Sequence, residues 1–261
     1  MTSETAAVPD AGRDVSAAAF ADAASAAVRK VAAEQAAGVA AAASLVAEGL
    51  RAGGVVQAFG TGHSQALAME IAGRAGGLVP TNMIALRDLV LLGGDPPDVL
   101  FTEHLEREPS IAHRLYDLAK VEPHDVFLIA SNSGGNGSVV ELARLVKEHG
   151  HPLIAVTSMA HTSRVTSRHP SGQRLFEIAD VVLDNGAPYG DTVLTAGDVT
   201  VCAVSSITAA LLAQMIVAEV VRTMLDAGET PPVYISSNVP EGDAHNTALE
   251  ARYAGRIRRH A

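Results

Sequence analysis

One repeated order constrains this chain more than any other feature: a short, mainly apolar run, a turn rich in Gly and Ser, then a helix-like stretch. It occurs at residues 55–59, where Gly60-Thr-Gly-His-Ser64 leads into a helical pattern over 64–74. It occurs again at residues 125–130, where Ser131-Asn-Ser-Gly-Gly-Asn-Gly-Ser138 opens a helix over 138–149. Apolar runs without polar alternation belong to strands covered on both faces, and helical spacers between them make the strands parallel. Further strands are expected at 79–86, 153–157, 179–183 and 231–236, with helices at 110–118 and 205–227. The expected fold is α/β, a doubly wound, mainly parallel sheet flanked by helices. Ahead of it lies an Ala-rich stretch, 14–50, read as an N-terminal helical extension of one or two helices with Gly38 as the break. Residues 1–13 read as a disordered tail and 14–261 as a single domain.

Composition narrows the partners. With 48% hydrophobic residues the chain has ample material for a core. No run of about 18 apolar residues lacks a charge, and no basic-then-apolar leader opens the chain, so neither a membrane span nor a signal peptide is expected. The formal charge of −10 argues against nucleic acid, and 3% aromatics leave little to stack on bases. A single cysteine, Cys202, suits a reducing cytoplasm. Lysine occurs only at Lys30, Lys120 and Lys147, so an anion must be held mainly by neutral donors, helix N-termini, Arg or His.

The turn at 60–64 admits three readings. A dinucleotide fingerprint requires a third Gly or Ala where Gln65 stands, and its acidic partner is misplaced at Asp88. A nucleophile elbow would use Ser64 with Asp184 and His245, but Gly62-His-Ser-Gln-Ala66 is one residue short of the motif. The third reading is a phosphate cradle of backbone N–H groups and a serine hydroxyl at a helix start. One such turn is weak; two at the same edge of a parallel sheet are stronger, because open α/β folds bind ligands there. Neither turn has the lysine of a nucleotide-triphosphate loop.

These loops resemble those of the sugar isomerase (SIS) phosphosugar-binding domain. Ser131-Asn-Ser-Gly-Gly-Asn136 is similar to the family's Ser-x-Ser-Gly-x-Thr, with Asn136 in place of Thr, and Gly60-Thr-Gly-His-Ser64 to its Gly-x-Gly-x-Ser. The likeness is nearer to one group of stand-alone SIS proteins, UPF0309. It is carried by Glu70 with Arg74-Ala-Gly-Gly-Leu78, by Ser167-Arg-His-Pro-Ser-Gly-Gln-Arg-Leu-Phe176, by Asp184-Asn-Gly-Ala-Pro-Tyr-Gly-Asp191 and by Gly242-Asp-Ala-His-Asn246. Relatives include N-acetylmuramic acid 6-phosphate etherases, phosphosugar isomerases and sugar-sensing regulators. The resemblance implies a sugar phosphate as ligand, with Gly62, His63, Ser64, Ser131, Asn132, Ser133 and Asn136 binding it. It also implies a homodimer or homotetramer with the site near a subunit interface.

Isomerases and etherases both begin by removing the proton beside the carbonyl of an opened sugar, which requires positioned groups with poised pKa values. No lysine follows Lys147, unlike the lysine-using isomerase domains of the family. The etherase-like stretch is Phe101-Thr-Glu-His-Leu-Glu-Arg-Glu108, in which Glu106 is the expected base or acid and Glu103 its rival, both on one helix face if helical. Glu70 and His245 complete the catalytic candidates, against plainer roles as an i,i+4 partner of Arg74 and a turn histidine. The leading expectation is C2 proton abstraction and C3 elimination on an amino-hexose 6-phosphate. Alternatives are aldose–ketose isomerisation and non-catalytic sensing. His161, His169 and Asp184 match no zinc spacing, and neither metal nor cofactor is expected. Ser205 and Ser206 are expected to cap the long apolar helix.

Overall fold

A computed structural model describes residues 15–259, so the expected tail at 1–13 lies outside the described residues. The chain opens with helices α1, Ala17–Glu34, and α2, Ala36–Arg51. Strand β1, Val56–Gly60, is followed by α3, Gln65–Ile71, and β2, Thr81–Ile84. Then come the short α4, Asp88–Leu91, and α5, Ser110–Ala119. Two further strand–helix units follow: β3, Val126–Ala130, with α6, Gly137–Glu148, and β4, Leu153–Thr157, with the short α7, Met159–Thr162. Strand β5, Val181–Asp184, closes the main sheet. A hairpin of β6, Thr192–Ala196, and β7, Val199–Ala203, precedes α8, Ser205–Asp226, and α9, Gly242–Ala251.

The five strands run parallel in the order β2-β1-β3-β4-β5, and every residue of β1 to β4 is buried. One face packs Leu67, Ala68 and Ile71 of α3 and Leu212, Ile216 and Val220 of α8, with α2 beside them. The other face packs Ile111, Leu115, Val139, Leu142 and Val146 over Phe59, Phe127 and Ile129. Fully burying one such large side chain is worth about 1.5–3 kcal/mol, so both layers are needed to hold an unalternating sheet. By length and composition α8 could cross a membrane, but here its Leu212, Ile216 and Val220 face is part of the core.

Several expectations are corrected. The break in the Ala-rich stretch falls at Gln35, not Gly38. Gly38 sits inside α2, where a Cβ would come within 2.7 Å of Leu183 Cδ2; its small size lets α2 lie against β5. The expected strand at 231–236 is absent: Val233 forms only an isolated antiparallel bridge with Leu78, and Pro231 and Pro232 have no N–H to extend it. The hairpin and α9 were not anticipated.

Strand order fixes where a ligand can sit. From β1 the chain moves outward to β2, then returns to β3 on the other side and continues to β4 and β5. The exits of β1 and β3 therefore flank the topological switch point, with Gly60 level with Ala130.

Candidate functional site

The first loop is shaped by glycine. A Cβ on Gly60 would lie 2.3 Å from Ser64 O, so only glycine lets the chain fold back here. Gly62 has φ +54°, in the left-handed region, and Ser64 N donates to Thr61 O at 3.1 Å. Ser64 precedes α3 without a side-chain capping bond, which leaves its hydroxyl to face a ligand.

The second loop is held from outside. Ser131 Oγ accepts from Gly134 N at 3.1 Å, and Gly134 adopts φ +59°. Thr157 Oγ1 donates to Ser131 O and Thr162 Oγ1 to Ser133 O, each at 2.7 Å. Leu175 N and Arg168 N donate to Gly134 O and Gly135 O, each at 2.8 Å. The carbonyl lone pairs that would repel an anion are thus committed to the protein. Asn136 caps α6 without a side-chain bond to the helix, so the positive end of a 12-residue helix opens onto the loop.

Between the exits lies a cleft bordered by His63 and Ser64, by Asn132 after β3, by Asn185 after β5, and by Ser205 and Ser206 at the start of α8. Asn185 Nδ2 donates to Asn132 Oδ1 at 2.6 Å, which fixes both amides. The expected capping role of Ser205 and Ser206 is corrected. Asp191 caps α8, accepting from Val204 N at 3.2 Å, Ser205 N at 2.8 Å and Ser205 Oγ at 2.6 Å. Asn185 follows β5 as Ser131 follows β3, so the strand-exit rule applied once more would have found it. Asp191 has φ +71°, a backbone state that its residue type alone does not announce.

The four catalytic candidates do not line this cleft. Glu106 lies in a 3-10 turn, Leu105–Arg107, seated on the start of α6, where its carbonyl accepts from Ser138 Oγ at 2.7 Å. Glu103 is 87% exposed and pairs with His104 at 3.0 Å. The two do not share a helix face, because His104 between them has φ +60° and breaks the run. Glu70 pairs with Arg74 and accepts from Gln214 Nε2 at 2.7 Å. His245 Nε2 lies 2.9 Å from Val233 O, and Val233 bridges to Leu78 just before β2 begins. That places His245 at the sheet edge opposite the strand exits. Among the residues bordering the cleft, His63 is the one with an acid–base side chain. His161, His169 and Asp184 each have separate protein partners: Gly190 N, Glu141, and the N–H groups of Met159 and Gly186.

A parallel five-stranded sheet with two hydroxyl-rich strand exits at its switch point defines a doubly wound α/β protein of the sugar isomerase type. The SIS domain family profile matches residues 19–158, and the chain belongs to that family. Within it the chain falls in the UPF0309 group: it is 42% identical over 219 residues to a UPF0309 protein of Listeria monocytogenes, covering 83% of this chain and 88% of the relative. In fold it is similar to a phosphoheptose isomerase from Francisella tularensis, with a TM-score of 0.53 and 17% identity over 78% of this chain and 95% of the other. A phosphoheptose isomerase from Neisseria gonorrhoeae gives a TM-score of 0.51 and 19% identity over 78% of this chain and 96% of the other.

Proposed function

We propose that the chain is an enzyme that binds a hexose 6-phosphate between the exits of β1 and β3 and removes the proton at C2. The observation that supports this reading is the shared cleft, bordered by His63 and Ser64 from the first loop and by Asn132 from the second. Ser64, Ser131, Ser133 and Asn136 hold the phosphate in this reading, with Gly62 and Asn132 giving close approach and orientation, and His63 is the base. A cytoplasmic setting fits the lone, exposed Cys202.

The primary outcome is aldose–ketose isomerisation. There the base takes the C2 proton and returns it to C1 while the hydroxyl proton passes from O2 to O1, so one titratable side chain suffices. This requires a hydroxyl at C2. Elimination is the second reading, favoured by the absence of lysine after Lys147. It suits an amino-hexose 6-phosphate, such as N-acetylglucosamine 6-phosphate or N-acetylmuramic acid 6-phosphate, and needs a second acid on the oxygen leaving C3. Glu106, Glu103 or Glu70 would have to move to supply it, or the exposed His245 would act on a neighbouring subunit's cleft in a homodimer or homotetramer.

The test is to incubate the protein in D₂O with glucose 6-phosphate and both amino-sugar phosphates, following C1 to C3 by NMR. Deuterium at C1 of a ketose product supports isomerisation; a C2–C3 double bond supports elimination. Binding without exchange at C2 on any of them would leave only a sensor, and His63→Asn would then alter binding alone. If the enzyme reading holds, that substitution slows exchange by about 10²–10⁴-fold.

A further inference from the structure

The phosphate loop has no lysine, and it departs from its family pattern at Asn136. One cation reaches that position. Arg168 lies on the segment 163–174, with its backbone N–H on Gly135 O at 2.8 Å and its guanidinium Nη1 donating to Asn136 Oδ1 at 3.1 Å. A threonine hydroxyl can rotate to donate, whereas an amide must be turned the right way round. With Oδ1 engaged by Arg168, both hydrogens of Asn136 Nδ2 are left to donate elsewhere.

The segment that carries Arg168 is anchored firmly. His169 is only 8% exposed, and its Nε2 donates to Glu141 Oε2 at 2.8 Å. Ser171 N donates to His169 Nδ1 at 3.1 Å, which leaves Nε2 to face Glu141 as the donor. Glu141 also accepts from His113 Nε2 at 2.8 Å, so α5, α6 and the segment are tied at one carboxylate. Burial pushes Glu141 upward, but donation from His113 and His169 outweighs it and holds the carboxyl below its usual range. Farther on, Arg174 Nη1 donates to Thr162 O at 3.0 Å. The segment lies directly on the loop: a Cβ on Gly135 would be 3.2 Å from Ser167 Cα.

We propose that Arg168 is the cationic element of the phosphate site and, through Asn136 Oδ1, the positioning residue for the loop's last donor. The inference rests on the sugar-phosphate reading above. A guanidinium presents five N–H groups in a planar fork, so one can hold Asn136 while others meet phosphate oxygens. Arg168 is exposed, with room to turn toward an anion.

The full-length chain is titrated calorimetrically with inorganic phosphate, N-acetylglucosamine 6-phosphate and unphosphorylated N-acetylglucosamine. Arg168→Gln should weaken both phosphate probes by about 10- to 100-fold, the span of one charge-assisted hydrogen bond, without lowering the unfolding midpoint. Arg168→Lys should restore only part of this, because an ammonium keeps the charge but not the fork. In an Asn136→Thr background the Arg168→Gln step should cost about tenfold less, since the bond to Oδ1 is already gone. Unchanged phosphate affinity in Arg168→Gln, or equal losses for phosphorylated and unphosphorylated sugar, would overturn the inference while leaving the function intact. If the wild-type chain binds neither phosphate probe, the sugar-phosphate reading itself fails.

Discussion

Thr157, the last residue of β4, is fully buried, and its hydroxyl lies 2.7 Å from Ser131 O and 3.2 Å from Asn132 O. A hydroxyl has one hydrogen, so the shorter contact holds it and the longer is secondary. Thr157→Val keeps the shape and removes the donor. The cost of leaving Ser131 O unpaired is about 1–3 kcal/mol, offset by about 0.8 kcal/mol for the extra buried methyl, a net loss of up to about 2 kcal/mol. At about 2–4 °C per kcal/mol for a chain of this size, the unfolding midpoint should fall by up to roughly 8 °C. The same energy orders the phosphate loop before it binds, so affinity for inorganic phosphate should drop by a factor of up to about 30. Thermal unfolding by fluorescence, paired with calorimetric phosphate titration, reads both quantities. A lowered midpoint with wild-type phosphate affinity would refute the claim that the Ser131 carbonyl must be held aside for the anion.

Gly137→Ala should destabilise by about 2–3 kcal/mol and weaken phosphate binding, because a Cβ there would meet Arg107 O at 1.9 Å; chemical denaturation checks it. Asp125→Asn should cost about 3–5 kcal/mol by urea unfolding, since the fully buried carboxylate accepts from Arg256 Nη2 at 2.6 Å, Gln57 Nε2 at 2.9 Å and Val55 N at 3.0 Å. Glu141, faced by His113, His169 and Arg144, has a depressed pKa in the folded state. Its contribution is therefore full above the unfolded carboxylate value of about 4.3 and is lost as pH falls through the folded value. The stability gap between wild type and Glu141→Gln in urea should be present above the unfolded carboxylate value of about 4.3 and close as the pH falls further.

What the sequence disclosed depended on whether a residue's role is local. The two strand–turn–helix units were legible because apolar runs and glycine turns act within a few positions, and both loops do open at one sheet edge. The helical extension was legible from its alanines, but not its break: Gly38 answers to Leu183, a contact far along the chain. Pro231 and Pro232 already argued against a strand there. The candidate glutamates were placed by likeness to a stretch whose conformation depends on His104 adopting a left-handed backbone. The role of Arg168 is not legible in the sequence, because its contact with Asn136 joins two segments that sequence spacing does not relate.

The most direct test is a crystal structure of the chain with N-acetylglucosamine 6-phosphate. The expected result is a phosphate within hydrogen-bonding reach of Ser133 Oγ and Asn136 Nδ2, with the sugar passing Ser64 and His63. A ligand seated away from the β1 and β3 exits, for example in the cavity bordered by Lys120 and Arg258, would contradict the proposed site.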